Sequence, residues 1–167
     1  RMRLLHPFET SFGVTQDRRI LLVKVSDGNL HGYGEVTAGE GPFYCHETVD
    51  TAWYILGEFI LPRIAGREIG HPSELLPFVE SIRGHNMAKG GLEAALWDLN
   101  ARRQNKPLWK LLGGTRTSIE CGVSIGIQPT IGRLLEVIQK ELNAGYRRIK
   151  IKIKPGWDVE VVREVRN

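Results

Sequence analysis

From residue 119 onward the chain alternates strand-like and helix-like segments so closely that only one kind of pairing fits. Residues 119–127 read as a strand. Thr130 can cap a helix carrying Ile131, Leu134, Leu135, Ile138 and Leu142 on one face, and Gly145 supplies its stop. Residues 147–153 read as a second strand, and Asp158 opens another helix with Val159, Val162 and Val165. Strand, helix, strand and helix within fewer than 50 residues is a βαβ unit, which implies parallel pairing. Two parallel strands do not make a stable sheet alone, so the pattern predicts that this unit belongs to something larger.

The preceding residues have a different grammar. Residues 19–25 and 30–36 read as two strands with a hairpin signal, Asp27-Gly28, in a loop expected to exceed two residues. A loop rich in glycine and aromatics follows over 37–46. Helices are expected from Glu47 to Leu61, stopped by Pro62, and from Ser73, a good N-cap, to about Ile82. The clearest helix spans 87–104, where Ala88, Leu92, Ala95, Leu96 and Leu99 make one apolar stripe. Residues 108–112 add one short turn, ended by Gly113-Gly114.

Bulk properties narrow the function. The 23 basic and 19 acidic residues are interspersed, so no charge block points to nucleic acid or a membrane surface. The most apolar window, 53–62, is short and contains Glu58, so no membrane span is expected. Cys45 and Cys121 share no short spacing, which argues against a disulfide framework or zinc site and fits a reducing, cytoplasmic setting. The adjacent Cys45 and His46 do not make a metal site by themselves, and His6, His31, His71 and His85 form no constellation. The chain opens on Arg1, so residues are expected to be missing at that end.

The residues with most chemical promise are Lys150, Lys152 and Lys154, which alternate with Ile149, Ile151 and Ile153. On a strand, period two puts the isoleucines on one face and the lysines on the other. The six residues alone would suit an amphipathic edge strand with solvated lysines. In a βαβ unit, however, helices cover one face, and lysines pointing away from them enter a barrel interior near its mouth. Neighbouring ammonium groups in a partly dry site disfavour each other's protonation, which suits a general base. Catalytic groups in barrels lie at the C-terminal ends of strands, where Lys152 falls. Lys150 is one inward step deeper, and Lys154 belongs to the loop with Pro155-Gly156.

Longer motifs make the chain resemble a known group. Ala95-Leu96-Trp97-Asp98-Leu99, Ala101-Arg102, Lys106-Pro107-Leu108-Trp109 and Leu111-Leu112-Gly113-Gly114 resemble the enolase superfamily, in the branch of the muconate-lactonising enzymes. Pro7-Phe8-Glu9-Thr10-Ser11-Phe12-Gly13, His85 through Gly90, Cys121 through Gly126, and Lys150-Ile151-Lys152 through Asp158 are similar to the o-succinylbenzoate synthases and N-acylamino acid racemases within it. The resemblance covers essentially the whole chain.

It implies an α+β capping domain over residues 1–115, an antiparallel sheet with helices. Residues 116–167 would then open a modified (β/α)8 barrel, truncated after its first βαβ unit. It implies proton transfer at the carbon α to a carboxylate of a small-molecule substrate, through an enediolate. That proton transfer would yield o-succinylbenzoate by dehydration or racemise N-acylamino acids. A dipeptide epimerase or cycloisomerase on the same scaffold stays open, as does a non-catalytic fragment. By resemblance Lys152 is the base and Lys150 sits near the substrate carboxylate and tunes its partner. Mg²⁺ would be the cofactor, with its three carboxylate ligands and a second lysine on later strands, so no metal ligand is named here. Ser124 matches a serine near the substrate, with simple packing as the other reading. Phe8, Phe12 and Tyr44 are expected in capping-domain loops that line an acyl pocket, or else in the ordinary core. Asp98 reads as structural, and a homo-oligomer is expected.

Overall fold

The computed structural model describes residues 1–167. In chain order the strands are β1 (Met2–Thr10), β2 (Gly13–Arg18), β3 (Leu21–Asp27) and β4 (Leu30–Val36). A helical stretch follows as α1 (Val49–Ile55), a π-helical turn (Leu56–Ile60) and α2 (Leu61–Ile64). Then come a 3₁₀ turn (Pro72–Leu75), α3 (Leu76–Val79), the long α4 (Asn86–Arg103) and α5 (Leu108–Leu111). The chain closes with β5 (Gly122–Ile125), α6 (Ile131–Asn143), β6 (Arg148–Ile151) and α7 (Val159–Arg166). These elements divide into two compact units: Arg1 with Arg19–Thr115, and Met2–Arg18 with Arg116–Asn167.

In the first unit β3 and β4 pair antiparallel from Leu21↔Val36 to Asp27↔Leu30. The loop is therefore two residues, shorter than the sequence suggests, because Gly28 takes φ +55° and turns the chain at once. Helix α4 lies directly on this hairpin. The stripe read from sequence, Ala88, Leu92, Ala95, Leu96 and Leu99, is buried along its length. Glycines set the approach: a Cβ at Gly34 would overlap the Gly91 carbonyl oxygen, and one at Gly32 would overlap that of Ala95. The Asp98 carboxylate accepts from the Tyr33 backbone N–H at 3.0 Å and from Arg102 Nε at 3.1 Å, so it ties helix to strand as a structural residue.

Three local expectations change. Pro62 does not stop the first helix. The Leu61 N–H reaches back five residues to the Leu56 carbonyl, and this π-type widening makes room for the proline ring one residue on. That helix also begins later than Glu47. Thr48 is the N-cap, sharing a capping box with Thr51, while the buried Glu47 carboxylate accepts from the backbone N–H groups of Met87 and Ala88 at 3.0–3.2 Å. Glu47 thus caps α4, a favourable place for a carboxylate beside exposed helix N–H groups. The next helix starts two residues early, where His71 rather than Ser73 caps the 3₁₀ turn.

In the second unit β1 and β2 form a hairpin that sequence periodicity does not reveal. Its register slips between the pair Arg3↔Asp17 and the pair Phe8↔Thr15, so β1 carries extra residues around Pro7, which has no N–H to give the ladder. Gln16 fills the gap by donating to the Leu4 carbonyl at 2.7 Å. β5 and β6 pair in parallel, and Ile125, Leu134, Ile138 and Val161 form a buried cluster between these strands and α6 and α7. On α7 the inward face is Val161 and Val165; Val159 is 69% exposed, which corrects the face read from sequence. Asp158 caps this short helix through Val159, and packing against α6 selects the four-residue spacing over the three-residue one.

The glycine contact can be tested by denaturation. Gly34→Ala is expected to destabilise the first unit by about 1–3 kcal/mol or more, as forced overpacking does. Gly90→Ala, where an added Cβ meets nothing within 4 Å, is expected to stabilise α4 by roughly 0.5–1 kcal/mol. Urea midpoints for both variants check this, and equal midpoints would contradict the close approach.

Candidate active site

The chemistry foreseen for residues 150–154 depends on which way β6 faces, and its neighbours answer this. β6 pairs with β5 through Gly122↔Arg148, Val123↔Ile149, Ser124↔Lys150 and Ile125↔Ile151. Ile149 and Ile151 pack with the cluster under α6 and α7. By period two, Lys150 and Ser124 then share the opposite face, directly across from one another in the register. β6 ends at Ile151, and Lys152 follows at its C-terminal end with its backbone N–H bonded to the Ile125 carbonyl at 3.0 Å.

Phe8 lies next to this lysine. It sits within β1 opposite Thr15, half-buried, rather than in a loop as expected, because the hairpin continues through Thr10. Its ring centroid is 5.8 Å from Lys152 Nζ, within range of a cation–π contact. The next residue, Glu9, is anchored twice. Its carbonyl accepts from the Ile127 N–H at 3.0 Å, and its Oε1 accepts from Lys154 Nζ at 2.7 Å. Gly126 permits this seating, since a Cβ there would lie 3.1 Å from Glu9 N and 3.2 Å from its oxygen.

Phe8, Ser124, Lys150 and Lys152 therefore belong to one unit and one neighbourhood. Phe12 is in the same unit at the hairpin tip, between the paired Thr10 and Gly13, and is 56% exposed. Tyr44 belongs to the other unit and is 76% exposed. The Glu9–Lys154 pair is the feature that sequence reasoning missed, because 145 residues separate its members and no spacing rule reaches that far.

A cleft of about 520 Å³ also opens in this unit, lined by residues including Phe8, Val14, Val123, Ser124, Val137 and Glu141. No residue of β6 lines it; it runs along β5 and shares Phe8, Glu9 and Ser124 with the neighbourhood of the lysines. Nor does the row suit a divalent cation. It offers ammonium groups and one hydroxyl, and the carboxylate beside it, Glu9, is held by Lys154. No three or more His, Cys, Asp or Glu side chains cluster anywhere in a way that could hold a metal ion. No helix is long and apolar enough to cross a membrane.

Residues 1–113 match the mandelate racemase / muconate lactonizing enzyme family in its N-terminal domain. The chain belongs to this family. It is 51% identical over 167 residues to o-succinylbenzoate synthase of Geobacillus kaustophilus, across 99% of this chain and 44% of that protein. It is 48% identical over 159 residues to N-succinylamino acid racemase of Thermus thermophilus, across 95% of this chain and 43% of the relative. A solved enolase-superfamily member from Listeria innocua superposes with a TM-score of 0.89 at 38% identity, covering 98% of this chain and 44% of that one. The chain is thus an enolase-superfamily member that spans less than half the length of the relatives it matches.

In this superfamily chain the support of the lysine-bearing strand rests on the inward face of α6. Leu134→Ala is expected to cost about 2–5 kcal/mol and to speed hydrogen exchange at the Lys152 amide. Leu135, 38% exposed on the same helix, is expected to change stability by no more than about 1 kcal/mol when cut to alanine. Equal effects at the two positions would show that the other face of α6 carries the strands.

Proposed function

We propose that this chain forms part of an enzyme that transfers the proton α to a carboxylate through an enediolate, with Lys152 as the base. The substrate is either the hydroxycyclohexadiene carboxylate that dehydrates to o-succinylbenzoate or an N-acylamino acid. The observation that carries the reading is the position of Lys152. It stands at the C-terminal end of a parallel strand, on the face away from the helices, with an aromatic ring over its amine. Identities of 51% and 48% to proteins bearing these two activities in their names favour the pair over a dipeptide epimerase or a cycloisomerase.

The chemistry follows from the site. The Lys152 amine takes the α-proton, and the C–H electron pair moves into the carboxylate to give the enediolate. Dehydration then collapses the enediolate to the carboxylate and a C=C bond, and the β-hydroxyl takes the proton held by Lys152 and leaves as water. Racemisation instead returns a proton to the opposite face of the same carbon, from a group outside residues 1–167. Lys150, one step deeper beside Ser124, would hold the substrate carboxylate by charge-assisted hydrogen bonds. Phe8 and Phe12 would supply apolar contact to the acyl portion.

We further propose the division of residues 1–115 as capping domain and 116–167 as the opening of a barrel. The open side of β5 would take a further strand, and the 167-residue chain alone would be inactive. Mg²⁺ enters the proposal only as a cofactor whose ligands are not among these residues.

The test is deuterium exchange at the substrate α-carbon, in a polypeptide where this chain is continued by the strands that complete the barrel. Lys152→Ala is expected to abolish exchange while leaving Mg²⁺ affinity nearly unchanged. Positioned bases supply about 10²–10⁴-fold, so retention of more than about 1% of exchange would exclude Lys152 from the role.

A further inference from the structure

We infer that Glu9 and Lys154 are positioning residues for proton transfer: their ion pair seats Phe8 over Lys152 and keeps the Glu9 carboxylate from pairing with Lys152. The inference rests on the reading of Lys152 as the base and goes beyond it.

The Lys154 backbone is held by a turn. Its N–H and C=O bond to the carbonyl and N–H of Trp157 at 3.2 and 2.8 Å, closing a turn over Pro155 and Gly156. Gly156 takes φ +78°, the conformation a turn with proline in its second position and glycine in its third requires. Trp157, which closes the turn, packs against the cluster under α6 and α7. Glu9 is equally fixed, by its carbonyl on Ile127 and its close fit over Gly126. Between these anchors the side chains meet at 2.7 Å, 41% and 34% exposed. A pair so exposed adds little to global stability, so its use lies elsewhere.

Its location indicates that use. Glu9 directly follows Phe8, whose ring faces Lys152 Nζ, and Lys154 is two residues beyond Lys152. Lys152 itself forms no ion pair, and Glu9 is bound to Lys154 instead. A Glu9 side chain released from Lys154 would be the nearest carboxylate in sequence to that ring. Pairing with Lys152 would hold its amine away from the substrate. Lys154 prevents this by occupying the carboxylate, and the same bond fixes the backbone that carries Phe8.

The test uses the polypeptide that completes the barrel, read by α-proton exchange. Lys154→Met is expected to lower kcat for exchange by about 10–100-fold, the scale of a misplaced reacting group, with KM changed less than threefold or so. Lys154→Arg, which keeps the cation, is expected to recover most of the rate. The double variant Glu9→Gln/Lys154→Met is expected to recover part of it, because the freed carboxylate is gone. A kcat for Lys154→Met within about twofold of the parent would overturn the inference. So would a loss that neither the arginine nor the double variant relieves, since that pattern marks a merely structural residue.

A second readout needs no turnover. In the parent, the Phe8 ring is expected to shift the Lys152 ε-methylene proton resonances upfield, and Lys154→Met is expected to remove the shift. An unchanged shift would overturn the seating of Phe8. If Lys152→Ala keeps its exchange activity, the base assignment fails instead, and this resonance still decides whether the pair positions the ring.

Discussion

The features of the candidate site depend on four rungs of parallel pairing between β5 and β6. Parallel strands joined through a helix must carry that helix on one face, and here the isoleucines of β6 take that face with Leu134, Ile138 and Val161. Once they are committed, period two leaves Lys150 on the opposite face beside Ser124, and the strand ends just before Lys152. A one-residue slip of β6 would reverse this and drive ammonium groups into an apolar cluster, where burial without a partner is costly. The hydrophobic choice therefore fixes the chemical one.

The hairpin of β1 and β2 completes the neighbourhood from the other end of the chain. Its irregular register, with Pro7 in the unpaired stretch and Gln16 bridging it, lets β1 carry Phe8 and Glu9 to the end of β5. Gly126 lets the two backbones touch. A residue read in isolation as a loop aromatic thus becomes a ring facing an amine, and the carboxylate beside it becomes the partner of the lysine two positions further on.

What could be read from sequence was what repeats locally. The stripe on α4, the Thr130 cap, the Gly145 stop and the alternation over residues 149–151 each follow from neighbours within a turn or a pleat, and each has its counterpart in the structure; beyond the strand end the alternation lapses, and Ile153 is exposed. What could not be read depends on distant partners. Glu47 looks like a helix start but caps a helix 40 residues away. Pro62 reads as a stop but is absorbed by a π-turn. The face of α7 was ambiguous because valines at 159, 161, 162 and 165 suit two stripes, and only packing on α6 chooses between them. The pairing of Glu9 with Lys154 carries no local signal. Membership in the family was legible because several motifs occur in order along the whole chain.

The facing of β6 decides where the lysines point, and NOE spectroscopy of methyl- and lysine-labelled protein tests it. Cross-peaks are expected from the Ile149 and Ile151 methyls to those of Leu134, Ile138 and Val161, and none from the Lys150 or Lys152 side chains to those methyls. Cross-peaks joining either lysine side chain to the Leu134 or Val161 methyls would contradict it.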